Sequence, residues 1–196
     1  MHSISRKILT TTAILGVFGA IAGAGVFALF TSQTENTANA VTAGTVAISD
    51  NDAGSSMYTL PNAKPSDTKV SCIRVNYSGT LDADVKLYIG DTIGALGPYV
   101  NLKIESGTQP SPTFPTCTGF VADATAIYDG TLSAFATAHS SYTNGLADNP
   151  GIVATKWAPS DAVVYRITAT LDPATPDAQQ AGITNAHKFT WAAKNQ

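Results

Sequence analysis

Val163-Val164-Tyr165-Arg166-Ile167-Thr168-Ala169-Thr170-Leu171 is the stretch that decides the fold. Val163, Tyr165, Ile167, Ala169 and Leu171 alternate with Val164, Arg166, Thr168 and Thr170. Successive side chains of an extended chain point to opposite faces, so this period gives a strand with one apolar and one wetter face. The apolar set is rich in β-branched and aromatic residues, which pack well on a pleated surface.

The same alternation recurs on both sides of this stretch. Ile73, Val75 and Tyr77 alternate with Cys72, Arg74 and Asn76, and Val85, Leu87 and Ile89 with Asp84, Lys86 and Tyr88. Val100, Leu102 and Ile104 alternate with Asn101, Lys103 and Glu105, and Phe189, Trp191 and Ala193 with Lys188, Thr190 and Ala192. Strands of this kind bury their apolar faces by packing antiparallel sheets against each other. The expected fold class is therefore all-β, an antiparallel β-sandwich. Breakers fall between the runs: Lys64-Pro65-Ser66-Asp67, Ser78-Gly79, Gly97-Pro98, Asn144-Gly145 and Asn149-Pro150. Residues 109–115 hold Pro110, Pro112 and Pro115 and read as an extended surface loop ending near Cys117. One short helix is expected over residues 132–139, capped by Thr131, with Leu132, Phe135 and Ala136 on one face.

The start of the chain has a different character. Arg6 and Lys7 form a basic patch, no further charge appears until Glu35, and residues 13–30 are almost wholly apolar or glycine. Val26 and Ala28 stand at −3 and −1 of a possible signal-peptidase cut. Residues 1–28 therefore read as a signal peptide with a hydrophobic helix, and the protein as secreted. The competing reading is a retained anchor, because a bilayer of about 30 Å needs about 20 apolar residues. Residues 29–42 would form a polar amino-terminal arm that opens with Leu29, Phe30 and Thr31, and residues 43–196 a single sandwich domain. The formal net charge is −3 and 13% of residues are charged. That balance suggests no nucleic-acid partner, and membrane contact only through an uncleaved leader.

Candidate chemistry is sparse. Cys72 and Cys117 read first as a disulfide in an exported chain, with a metal or redox pair as the alternative; they lack CxxC spacing. His2, His139 and His187 are the histidines, and no HExxH sets two ligands and a base on one helix face. A zinc site built from His139, His187 and a distant carboxylate is the weaker reading beside solvated histidines. Asp50-Asn51-Asp52-Ala53-Gly54 resembles the front of a calcium loop, but Pro61 stands where the bidentate Glu is needed, so an Asx turn is preferred. No GxSxG elbow or phosphate-binding glycine loop is present. These residues assign no catalytic, cofactor or metal site. Trp191 is in phase with Phe189 and reads as core. Trp157, beside Lys156 and Pro159, is open between lid packing and a surface contact such as sugar stacking. Asn76-Tyr77-Ser78 fits a glycosylation sequon, a pattern that also recurs by chance.

An ordered set of segments carries a resemblance. Gly-Ala-Gly-Val-Phe-Ala-Leu-Phe-Thr closes the leader, and Ala43-Gly44-Thr45-Val46-Ala47-Ile48-Ser49 follows. Leu60-Pro61-Asn62-Ala63-Lys64-Pro65-Ser66-Asp67, Val75-Asn76-Tyr77-Ser78-Gly79-Thr80-Leu81 and a final Phe189-Thr190-Trp191 complete it. This order resembles the TasA/CalY (camelysin) family of exported bacterial proteins, whose leaders are processed by a SipW-type signal peptidase. The resemblance implies a jelly-roll-like sandwich and, for the TasA branch, a subunit of biofilm-matrix fibres. There the mature amino-terminal segment of one subunit completes the sheet of the next. Here that donor would begin at Leu29, Phe30 and Thr31. Such β-augmentation takes affinity from backbone hydrogen bonds, and its head-to-tail geometry grows a filament. The implied partners are further copies of the chain and, during export, the signal peptidase. Cys72 and Cys117 depart from the TasA pattern, and the camelysin branch's metallo-endopeptidase label finds no zinc motif here. The leading reading is a fibre subunit; the alternatives are a surface binding module and, behind it, a metallo-endopeptidase.

Overall fold

The computed structural model describes residues 42–151, 155–179 and 181–195. The expected signal helix, its cleavage residues Val26 and Ala28, and Leu29, Phe30 and Thr31 lie outside them. Ala43–Gln196 forms one compact unit.

The run around Tyr165 becomes strand β8 (Ala162–Leu171), the middle of the larger sheet. Its flanks are β2 (Thr68–Tyr77) and β4 (Val100–Thr108), both antiparallel to it, with Ile73 opposite Tyr165 and Ile104 opposite Ile167. Beyond β2 lies the short β1 (Ile48–Asp50); β4 also pairs with β5 (Val121–Ala122) and β6 (Tyr128–Thr131). The smaller sheet has β3 (Asp84–Tyr88) between β7 (Leu146–Ala147) and β9 (Thr190–Lys194). The chain repeatedly crosses between sheets: β2 to β3, β3 to β4, β6 to β7, β7 to β8 and β8 to β9. The architecture is the expected all-β antiparallel sandwich, jelly-roll-like in this alternation.

Periodicity translates into burial with little error. Ile73, Val75, Tyr77, Val85, Leu87, Ile89, Leu102, Ile104, Tyr165 and Ile167 are all at most 2% exposed. One buried cluster takes residues from both sheets. Each fully buried Val, Leu or Ile in it is worth about 1.5–3 kcal/mol in removed apolar surface. The alternate residues Arg74, Asn76, Lys103 and Thr168 are only half-buried, on the outer face of the larger sheet.

Local signals hold as well. The helix α1 spans Leu132–Ala138, and its Thr131 side chain accepts a hydrogen bond from the Ala134 amide at 3.2 Å. Leu132 and Phe135 enter the core from its inner face. At residues 64–67 the Asp67 amide donates to the Lys64 carbonyl at 3.0 Å, with Ser66 at φ 75°. A positive φ at the third position is the mark of a type II turn.

Cys72 and Cys117 are joined, their Cα atoms 5.1 Å apart. Cys72 alternates with the core-facing Ile73, so the bridge lies on the outer face of the larger sheet. It pins the proline-rich loop there, assisted by the Cys72 amide, which donates to the Pro115 carbonyl at 3.0 Å. The buried Gln109 amide group donates to the carbonyls of Thr116 and Thr118 at 2.9 and 3.0 Å, closing the loop on itself. Phe120 then covers the Arg166 guanidinium, 4.6 Å from its ring centroid. Arg166 pairs with Glu105 at 2.7 Å, and Lys103 reaches the same carboxylate at 3.1 Å. Gly107 is required where β5 crosses, because a Cβ would collide with the Val121 carbonyl.

Candidate functional site

Both sheets end in short edges on the same side of the sandwich. β1 has three residues, paired to β2 on one side. β9 pairs with β3 through all five of its residues, and among the described residues its other edge carries no strand. A short edge limits the ladder of unpaired N–H and C=O groups but leaves a template for another strand.

A recess of about 380 Å³ lies between β1 and β9, lined by Ile48, Ser49 and Val75 on one side and Phe189, Thr190 and Trp191 on the other. It runs into a larger groove of about 1100 Å³. Asp50, Asp52, Gly54, Lys188, Phe189 and Trp191 line both cavities. The larger groove has an apolar bed that includes Met57, Leu60, Ala63, Leu96, Val100 and Leu171. The result is an apolar trough with a strand edge along one wall and charged groups at its rim.

The rim is built by turn chemistry. The Asp50 carboxylate accepts from the Asp52 amide at 3.2 Å, and that of Asp52 from the Gly54 amide at 2.6 Å. Asn51 turns inward and accepts from the Arg74 amide at 2.8 Å. Burial, with the neighbouring Asp52 charge, holds the Asp50 carboxyl above the usual carboxylate range. These bonds account for the Asp-rich segment as the expected Asx turn.

On the opposite wall, His187 Nδ1 lies 3.0 Å from the Asn185 carbonyl oxygen, which makes it the protonated nitrogen. Nε2 therefore accepts from the Tyr58 hydroxyl at 2.7 Å. Burial pushes the Tyr58 hydroxyl upward from its ordinary range. The Phe189 ring packs against both, at 6.2 Å from Tyr58 and 6.0 Å from His187 between centroids. His139 is held elsewhere, with Nδ1 2.8 Å from the Asn144 carbonyl oxygen and its ring against Phe135.

The tryptophans divide differently from the expectation. Trp157 is fully buried, with backbone bonds in both directions to Ala83 at 2.9 Å, and its Nε1 donates to the Asp148 carbonyl at 2.7 Å. It is a core residue and offers no face to a sugar; the surface-contact reading is overturned. Trp191 is half-buried: its ring meets Tyr165 at 5.2 Å on the core side, and its side chain forms part of the groove wall. Neither the groove nor the place of the Asp148 carboxylate beside Ser106 is legible in the sequence. Both arise from segments far apart in the chain.

Residues 3–93 match the family model described as camelysin metallo-endopeptidase. No curated protein matches the chain. The matched segment contains the rim turn, β2 and the crossing to β3, so the family pattern recognised in the residues coincides with one wall of the groove. The family description implies a metal. Among the described residues, no group of three or more His, Cys, Asp or Glu side chains is placed to hold one. Both nitrogens of His187 are engaged by Tyr58 and Asn185, and both cysteines by each other. The described residues do not fit a protein-held zinc.

Proposed function

We propose, for a chain whose residues 3–93 carry the camelysin family pattern, a structural role outside the cell. It is a TasA-like subunit of surface or matrix fibres, exported behind residues 1–28, cleaved after Ala28 and assembled by strand donation. The observation that carries this reading is the apolar groove beside the unpaired edge of β9. A strand added along that edge would gain backbone hydrogen bonds, and its alternate side chains would enter the trough.

The proposed occupant is residues 29–42 of a neighbouring copy. Extended at about 3.3 Å per residue, such an arm spans about 45 Å, well beyond the length of β9. Leu29 and Phe30 supply its large apolar side chains; the Thr, Ser and Asn residues that follow are small enough to lie against a neighbouring strand. Because donor and acceptor are different parts of the surface, the contact does not close, and repetition gives a filament.

Electron microscopy of the mature chain beginning at Leu29 tests the reading. Filaments with a regular subunit repeat are expected, and deletion of residues 29–39 should abolish them while leaving the β-rich circular dichroism unchanged. Filaments of undiminished length after that deletion would rule out strand donation by the arm. The alternatives draw less support: burial of Trp157 removes the residue that motivated sugar stacking, and among the described residues no cluster of His, Cys, Asp or Glu is placed to hold a metal.

A further inference from the structure

Asp148 is an acidic side chain set where the two sheets meet, and the assembly reading makes no use of it. It follows β7, and its Oδ1 accepts from the Ser106 hydroxyl of β4 at 3.3 Å. Its Oδ2 is buried and has no hydrogen-bond partner among the described residues. The Trp191 Nε1 of β9 is buried and unpartnered in the same way. Near both lies the side chain of Tyr165, a fully buried residue of β8 whose ring is 5.2 Å from that of Trp191. An unpaired acceptor and an unpaired donor thus lie close to one tyrosine, a high-stakes arrangement in a low-dielectric interior.

We propose that Asp148 is a proton-responsive residue that sets the seating of Trp191, and through it the groove wall, tightening that wall on acidification. While Asp148 is ionised, its charge sits in a partly buried site with a long hydrogen bond from Ser106 and the Tyr165 hydroxyl nearby. Uptake of a proton from solvent removes the charge and turns Oδ2 into a donor, for which the Tyr165 hydroxyl oxygen is a nearby acceptor. Tyr165 and Trp191 are in ring contact, so a shift of that hydroxyl is felt by the indole that lines both cavities.

The charged and titratable groups facing Asp148 are few. Burial raises its carboxyl above the usual carboxylate range; Tyr165 and Ser106 act in the opposite direction, and the Asp123 carboxylate adds a further upward push. Tyr165 itself is raised far above its ordinary range by burial and by Asp148, so it stays neutral. Ser106 and the indoles of Trp157 and Trp191 carry no charge. A carboxyl raised on folding destabilises the fold when ionised, so this cost is fully present above the raised value. It is relieved as pH falls through that value towards the unfolded value of about 3.9.

The consequence for assembly rests on the function proposed above; the titration of Asp148 does not. The test therefore uses the chain from Ala43 onward (residues 43–196), the compact unit without the arm, and compares the wild type with Asp148→Asn, Tyr165→Phe and a His187→Gln control. Thermal midpoint and tryptophan emission are followed from pH 8 to pH 4.5, with Trp191→Phe assigning the emission change. The wild-type midpoint should rise by about 2–4 °C as pH falls, with emission titrating in parallel. Asp148→Asn should lack both changes and resemble the acid form at every pH. Tyr165→Phe should move the titration, and His187→Gln should leave it in place. A wild-type profile without a titration, or an unchanged titration in Asp148→Asn, would overturn the proposal. So would an emission change that survives in Trp191→Phe. If Asp148→Asn does not fold, an unshifted titration in Tyr165→Phe is the result that overturns it. Absence of filaments from the longer chain would instead count against the assembly reading alone.

Discussion

At the scale of the residue, Trp157 shows how one side chain redirects a functional reading. Its neighbours Lys156 and Pro159 suggest a loop, yet the bridge to Ala83 turns the indole fully into the interior. Truncation there leaves a cavity and strands the Asp148 carbonyl without its indole donor. Trp157→Ala is expected to lower unfolding stability by about 3–5 kcal/mol, the range for large aromatic residues lost from a core. Equilibrium denaturation checks this, and a loss under about 1 kcal/mol would show that the indole is not a core element. Asp148 is the other residue whose importance comes from position: an ordinary carboxylate in a loop, it becomes pH-sensitive because two sheets close over it.

At the scale of the element, the proline-rich loop is held by covalent and non-covalent ties that lie together on one sheet face. The Cys72–Cys117 bridge spans a sequence separation of 45 residues. On the chain-entropy account, closing such a loop stabilises the fold by about 4 kcal/mol. The double variant Cys72→Ser/Cys117→Ser should lose much of that amount while keeping its far-ultraviolet circular dichroism, since β2 and β4 are ladder-bonded to β8 independently of the loop. Thermal denaturation of the oxidised wild type against the double variant measures it, and equal midpoints would assign the loop no share of the stability. The short elements β1 and β9 behave differently: each is paired on one side only among the described residues, and they border the groove at which the proposed strand donation would occur.

At the scale of the whole molecule, one buried cluster joins both sheets and α1. Among the described residues neither sheet has a separate core, so the domain should unfold in one step. Denaturant curves followed by tryptophan emission and by far-ultraviolet circular dichroism should superimpose. An early transition confined to tryptophan emission would mean that the smaller sheet detaches first. The groove is also a whole-molecule property. It exists because the turn after β1, the segment before β9 and the end of β8 converge without filling the space between them.

The sequence by itself determined the strands, their buried faces, the capped helix and the Asx turn, because each depends on neighbours a few residues away. Alternation at Tyr165, the Thr131 cap and the Asp50–Gly54 bonds are local physics, and local physics is written in order along the chain. It also carried the family pattern over residues 3–93. Only the tertiary structure decided that Ile48 and Thr190 would face each other across a recess, that Trp157 would be core, and that Asp148 would sit beside Tyr165 and Trp191. Those outcomes depend on which strand edges remain unpaired once every apolar face has been buried. That is a property of the complete packing, with no counterpart in the spacing of residues.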